Sequence, residues 1–263
     1  MGNLTIDNLR VTLNNRQMLE SVSLSVCHGE RVALLGRSGS GKSLTARAVL
    51  GLLPAGAKAS GTIRLGGIDV LPMPALARPA TARVAMVMQD TSSALNPLAT
   101  IGYQLRQPLR HCRGLSPRQA ASEVADLLLK MGFTAPHDIV NRYPPELSGG
   151  QRQRICIAMA LASNASFIIA DEPTTALDVV TQAQILKLLR SVTADPAGPG
   201  LLFITHDLHA ASHLCDRALI IENGCIVEEG AMSQILHAPR QIYTQNLVGS
   251  AHHCVVACEK VFA

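Results

Sequence analysis

The stretch Arg31–Gly51, RVALLGRSGSGKSLTARAVLG, decides how the rest of the chain is read. Val32, Ala33, Leu34 and Leu35 form a short apolar run of the kind that makes a buried parallel strand. Gly36, Arg37, Ser38, Gly39, Ser40, Gly41, Lys42 and Ser43 then satisfy G-x-x-x-x-G-K-[ST], the P-loop pattern. Leu44 to Leu50 read as a helix, so strand, glycine loop and helix come in the order the pattern requires. Glycines let successive backbone N–H groups close around phosphate oxygens, and the helix start adds partial positive charge. The Lys42 ammonium suits the β- and γ-phosphates, and the Ser43 hydroxyl suits Mg²⁺. The stretch therefore predicts binding of a nucleoside triphosphate, with ATP and Mg²⁺ as the expected pair.

Bulk properties narrow the class. The 263 residues suffice for one large or two small domains, and a 48% hydrophobic content excludes disorder over most of the length. Twenty-three basic against 19 acidic residues give a net charge of +4, too mild for a nucleic-acid binder, so no nucleic-acid partner is expected. No run approaches the ~18 apolar residues of a membrane span, and the opening MGNLTIDNLR lacks a basic-then-apolar secretory pattern. Seven scattered cysteines without a C-x-x-C read as reduced thiols in the cytoplasm.

Working outward, Leu4–Leu13 and Val22–Val26 alternate apolar and polar residues around an Asn14-Asn15 turn, which predicts antiparallel strands. Gly61–Val70 reads as a strand pair around Gly66-Gly67, and Val84–Met88 as a buried strand ending at Gln89. Proline-punctuated helices come next, including Pro117–Met131 with Ser116 as its N-cap. Gln151–Ser163 and Val179–Val192 read as helices, Ser166–Ala170 and Leu201–Thr205 as buried strands. Asn223-Gly224 is a hairpin signal, and from Pro239 onward the chain reads as a tail. The expected fold is α/β: a P-loop NTPase core with a mostly parallel sheet, an N-terminal antiparallel β subdomain, and an inserted α-helical subdomain over about residues 92–160. Residues 1–240 are expected to form the ATPase domain and 241–263 a short C-terminal tail. Ligands in such sheets sit at the carboxyl ends of the strands, where Gln89, Asp171, Glu172 and His206 all fall.

Asp171-Glu172 follows the apolar Phe167–Ala170, an arrangement resembling the acidic strand end called Walker B. Two adjacent carboxylates there divide the work: Asp171 is read as the metal ligand and Glu172 as the general base for the attacking water. Leu147-Ser148-Gly149-Gly150-Gln151 is a second phosphate-type helix start, with Ser148 as N-cap and two glycines allowing close approach to an anion. At LSGGQ the sequence resembles the ATP-binding cassette (ABC) family, and the resemblance runs from about Leu4 to Thr244.

That resemblance implies that two cassettes pack head to tail, with Ser148, Gly149, Gly150 and Gln151 of each closing on the γ-phosphate held by the other. Gln89 matches the family's Q-loop glutamine, which senses Mg²⁺ and the attacking water. Asp178, in Thr175-Ala176-Leu177-Asp178, matches the D-loop at the dimer interface, and His206 matches the switch histidine. Leu13 stands near the position where the family usually stacks an aromatic ring on adenine. It offers apolar contact without a π-face, so ATP and GTP are expected to be hydrolysed with similar efficiency.

Within the family, Leu53–Gly56, Ser93–Pro97 and Phe167–Leu189 resemble ATPases of dipeptide, oligopeptide and nickel importers. The chain stops soon after Pro239–Thr244, the shorter form that resembles the nickel-import members. The expected function is thus ATP hydrolysis that drives uptake of nickel or a metal complex, with dipeptide or oligopeptide import as the alternative and a soluble, non-transport ABC ATPase as the less favoured one. The implied partners are a second ABC ATPase subunit, two membrane permease subunits and a periplasmic substrate-binding protein, with this chain peripheral on the cytoplasmic face of the inner membrane. His252, His253, Cys254 and Cys258 are soft ligands close together near the end, in no spacing that defines a closed metal site.

Overall fold

The computed structural model describes residues 3–194 and 198–261, with side chains through residue 251. Two long strands open the chain, β1 (Leu4–Leu13) and β2 (Arg16–Val26), paired antiparallel. Asn14 and Asn15 join them at φ 48° and 60°, the left-handed region that asparagine tolerates. β2 starts six residues before the alternation visible at Val22. Arg16, Gln17 and Met18 are exposed, so backbone pairing with β1 rather than burial makes them strand.

The apolar run becomes β3 (Arg31–Leu35), followed by α1 (Lys42–Leu50), β4 (Lys58–Leu65), the short β5 (Ile68–Asp69) and β6 (Val84–Val87). Five helices then precede the next strand: α2 (Thr91–Ala94), α3 (Ile101–Arg113), α4 (Pro117–Lys130), α5 (Pro136–Val140) and α6 (Gly149–Ala162). Ser116 and Gln119 form a capping box at the start of α4, and Ser148 and Gln151 do the same for α6. The remainder alternates again: β7 (Phe167–Asp171), α7 (Val179–Val192), β8 (Gly200–Thr205), α8 (Leu208–Leu214), the hairpin β9 (Arg217–Glu222) and β10 (Cys225–Ala231), α9 (Met232–His237) and α10 (Ile242–Val261).

All ten strands form one mixed sheet in the order β5-β4-β1-β2-β10-β9-β3-β8-β7-β6. The five strands β9-β3-β8-β7-β6 run parallel, and the β1, β2, β4 and β5 group is antiparallel. A single pair, Cys225 opposite Ser21, joins the two groups between β10 and β2. Side chains alternate across each parallel strand, so one β3 face sends Ala33 and Leu35 into a cluster shared with the helices, while Val32 and Leu34 join α1 and the antiparallel strands. Burial on both faces is why these strands read as unbroken apolar runs. Leu105 of α3, Leu128 of α4 and Ile155 of α6 lie in the same cluster as Val87 and Ile168, so the helical segment shares the core of the sheet.

Residues after Pro239, read from sequence as a tail, instead start a docked helix. The Glu228 carboxylate accepts from the Arg240 and Gln241 N–H groups at 2.9 and 3.0 Å, Thr244 is fully buried and Val248 nearly so. His252, His253, Cys254 and Cys258 lie outside the residues whose side chains are described.

Arg78 is a buried cation whose guanidinium donates to the Met73 carbonyl at 3.3 Å, the Val70 carbonyl at 3.1 Å and the Val49 carbonyl. Burial pulls its pKa down, and the carbonyl dipoles, one of them at the end of α1, hold the charge. Arg78→Leu is expected to cost about 2–4 kcal/mol in urea unfolding, because three carbonyls lose their donor. A loss below about 1 kcal/mol would contradict that role.

Candidate functional site

Because β3, β8, β7 and β6 are parallel neighbours, their carboxyl ends share one edge of the sheet. That edge carries the Gly36–Ser43 loop after β3, His206 after β8, Glu172 after β7 and Gln89 after β6. The loop is tightly packed: a Cβ on Gly36 would lie 2.3 Å from the Ile221 carbonyl oxygen, and Gly41 sits at φ 110°. α1 has no side-chain cap, whereas α3, α4, α6 and α7 are capped by Thr100, Ser116, Ser148 and Asp178. Its first-turn N–H groups therefore face outward from a glycine, the arrangement that receives an anion.

Lys42 is 7% exposed, and its ammonium donates to the Gly36 carbonyl at 2.7 Å and the Arg37 carbonyl at 3.0 Å. Burial lowers its pKa, while the carboxylates of Glu172 and Asp171 act in the opposite sense. The Ser43 hydroxyl donates to Asp171 Oδ1 at 3.2 Å. Burial raises the Asp171 pKa; the Ser43 bond opposes it, the nearby Glu172 charge reinforces it, and Lys42 works against it.

Glu172 is held more firmly than an exposed turn residue. Its backbone takes the left-handed conformation at φ 49°, uncommon for a residue other than glycine or asparagine, and its N–H donates to the Ile204 carbonyl at 2.9 Å. One carboxylate oxygen accepts from His206 Nδ1 at 2.8 Å and the other from the Thr175 hydroxyl at 2.6 Å. The carboxylate is 14% exposed and the imidazole 56%, so the acid is sheltered while the histidine reaches open solvent.

A cleft of about 390 Å³ gathers Ser38, Gly39, Gly41, Lys42 and Ser43 with Gln89, Glu172 and His206. Asp171 joins through Ser43, and Gly36 and Arg37 join through the carbonyls that Lys42 holds. Ser40 is buried beneath the loop, its carbonyl accepting from the Gly224 N–H at 3.0 Å. Leu13, at the end of β1, does not line this cleft; Met18 of β2 does, as does Thr175. Thr175 is legible in principle, since a hydroxyl three residues after Glu172 in a turn is placed to bond back to it. Met18 carries no such signal, for it arrives from a distant strand.

Ser148, Gly149, Gly150, Gln151 and Asp178 are not brought into that cleft. The Ser148 hydroxyl accepts from the Gln151 N–H at 3.3 Å, and Gln151 Oε1 accepts from the Ser148 N–H at 2.9 Å. This leaves the Gly149 and Gly150 N–H groups, first in α6, without an intrahelical acceptor. Gly149 lines a second cleft of about 300 Å³ with Arg152, Gln153 and Leu177, and Gln89 borders both clefts. The Asp178 carboxylate accepts from the Thr181 N–H at 2.9 Å and hydroxyl at 2.7 Å, bonds that lower its pKa.

The donor set at Ser43 and Asp171 suits Mg²⁺: both offer hard oxygen, and their oxygens already lie 3.2 Å apart. Among the described residues no group of three or more His, Cys, Asp and Glu forms a cage. Mg²⁺ at a nucleotide needs none, since phosphate and water complete its shell. The five described cysteines, Cys27, Cys112, Cys156, Cys215 and Cys225, are free thiols.

Comparison with known proteins bears on the family. Residues 19–175 match the family described as ABC transporter. The chain is 44% identical over 237 residues to a probable D,D-dipeptide transport ATP-binding protein, DdpD, of Escherichia coli strain K12, covering 89% of this chain and 72% of that protein. It is 43% identical over 236 residues to a peptidoglycan transport ATP-binding protein, YejF, of Agrobacterium fabrum, and spans 88% of itself but 43% of that longer protein. A putative peptide import ATP-binding protein of Brucella abortus is 40% identical over 263 residues, with 94% and 77% covered. The ATP-binding cassette MJ0796, solved as a dimer in a post-hydrolysis state bound to ADP and Pi, superposes with a TM-score of 0.73 at 26% identity, over 87% of this chain and 98% of that one. A family match across more than half the residues, joined to identities of 40% and above over most of the length, makes the chain a member of the ABC transporter family with the ABC ATPase fold.

Proposed function

We propose that this chain is the ATP-hydrolysing subunit of a peptide importer and that it works as one half of a cassette pair. The observation that carries the reading is the Glu172 carboxylate, fixed between His206 and Thr175 in the same cleft as the P-loop, while the LSGGQ helix start opens into a different cleft. Lys42 and the free N–H groups of α1 bind the β- and γ-phosphates. Ser43 and Asp171, with Gln89 nearby, would hold Mg²⁺, which supplies positive charge against the phosphate oxygens. Glu172 takes the proton from the attacking water. His206 orients that carboxylate through Nδ1 and, when protonated on both nitrogens, has Nε2–H left to donate to a γ-phosphate oxygen. Ser148, Gly149, Gly150 and Gln151 cover the γ-phosphate held by the partner, with Asp178 beside that interface. The dimeric MJ0796 cassette supports this pairing. Met18 in place of a ring at the nucleotide cleft supports a loose hold on the base and similar use of ATP and GTP.

The cargo is read from the relatives. DdpD, YejF and the Brucella protein are named for dipeptide, peptidoglycan and peptide transport, at 40–44% identity. The nickel reading rests on how soon the sequence stops after Pro239, which carries no information about cargo. Peptide import is the better supported reading. No helix among the described residues is long and apolar enough to cross a membrane. The chain would reach the cytoplasmic face of the inner membrane through two permease subunits, with a periplasmic binding protein and a second cassette completing the importer. Deleting the gene is expected to abolish uptake of labelled di- or oligopeptides and leave ⁶³Ni uptake intact. Loss of nickel uptake with peptide uptake unchanged would reverse the assignment.

A further inference from the structure

We propose that Tyr243 is a positioning residue for the P-loop, and that through it nucleotide occupancy is linked to the C-terminal helix α10. The Arg37 N–H donates to the Tyr243 hydroxyl at 2.9 Å, across 206 residues of sequence. This N–H belongs to the same peptide group as the Gly36 carbonyl, to which Lys42 Nζ donates at 2.7 Å. One peptide plane at the start of the loop is thus gripped at both ends, by a lysine on its oxygen and by a tyrosine on its nitrogen.

The Lys42 ammonium has three N–H donors, two of them given to the Gly36 and Arg37 carbonyls, so an arriving phosphate takes the third or competes for these two. The Tyr243 hydroxyl holds the nitrogen side of this peptide plane whichever way the ammonium turns, and with it the aim of the next N–H groups along the loop. The tyrosine is itself firmly seated. The carboxylate of Glu228 accepts from the Arg240 and Gln241 N–H groups at 2.9 and 3.0 Å, Thr244 beside it is 0% exposed, and the ring packs against the core shared by the sheet and helices. Removing the hydroxyl leaves the ring in place and the Arg37 N–H without its acceptor. Because binding linkage is reciprocal, a nucleotide that settles the loop must also settle residues 240–251.

The inference rests on the P-loop binding ATP and is independent of what is transported. Its test is Tyr243→Phe in the full chain, with a fluorescent ADP as the binding probe. Affinity for the probe and the KM for ATP are expected to weaken about threefold to tenfold, the scale of one lost hydrogen bond. The kcat at saturating ATP is expected to stay within about twofold, a split that general loss of folded protein would not give. ADP should slow amide hydrogen exchange over residues 240–251 in the wild type and do so less in the variant. Equal affinity in the two proteins, or exchange over 240–251 that ignores ADP in the wild type, would overturn the proposal. Failure of the wild type to bind the probe would overturn the nucleotide reading beneath it.

Discussion

Replacing Glu172 by Gln is expected to lower ATP turnover by about 10²- to 10⁴-fold while ATP binding persists. The substitution keeps volume and shape, so the sheltered position and the left-handed backbone are undisturbed. The amide can still accept from either His206 or Thr175, the two groups that orient the carboxylate at 2.8 and 2.6 Å. What it loses is the capacity to take a proton from water. Lys42, Ser43 and the first-turn N–H groups of α1 are untouched, so ATP should accumulate on the protein and hold two cassettes together. Phosphate release and the mass of the ATP-bound species measure both halves of this expectation. Turnover near the wild-type rate would remove Glu172 from the role of base.

Gly149→Asp is expected to reduce hydrolysis by at least about 10²-fold without weakening nucleotide binding at the chain's own P-loop. The two glycines of the signature differ in what surrounds them. A Cβ on Gly150 would fall 2.5 Å from Thr181 Cγ2, so a side chain there requires the Thr181 side chain to move, and with it the hydroxyl that Asp178 holds. On Gly149 the nearest neighbour is Leu177 Cδ2 at 3.5 Å, an ordinary contact. An aspartate in the first turn also favours the helix through its dipole, so the fold is kept. In the proposed cassette pair the new charge would stand where the partner's γ-phosphate approaches, and would repel it. Binding of a fluorescent ADP to the variant, set beside its phosphate release, separates the two effects. Turnover within about twofold of wild type would mean that the LSGGQ helix start does not serve catalysis.

Much of the site is legible in the sequence because the parallel strands are short apolar runs and their carboxyl ends carry the polar residues. Val32–Leu35, Val84–Val87, Phe167–Ala170 and Leu201–Thr205 need no long-range information to be read as strands, and a shared parallel direction puts the polar residues after each of them on one edge. Side chains that reach the cleft from elsewhere are harder to see. Met18 lies on an exposed strand start whose pairing is set by β1, and Tyr243 sits in a polar stretch whose few apolar residues give no reason to expect docking. Glu172 is readable as a base, but its clamp by His206 and Thr175 is a tertiary fact. Cargo is the least legible property, since nothing in an ATPase cleft touches it.

The P-loop cleft of one chain lacks the LSGGQ helix start and, in the proposed pair, gains it only from a second cassette. The most direct test is phosphate release per chain across a dilution series, with the mass distribution measured in the same samples. Turnover per chain is predicted to fall to background as the protein becomes monomeric and to return when a partner cassette is supplied. A verified monomer hydrolysing ATP at the undiminished rate would contradict it.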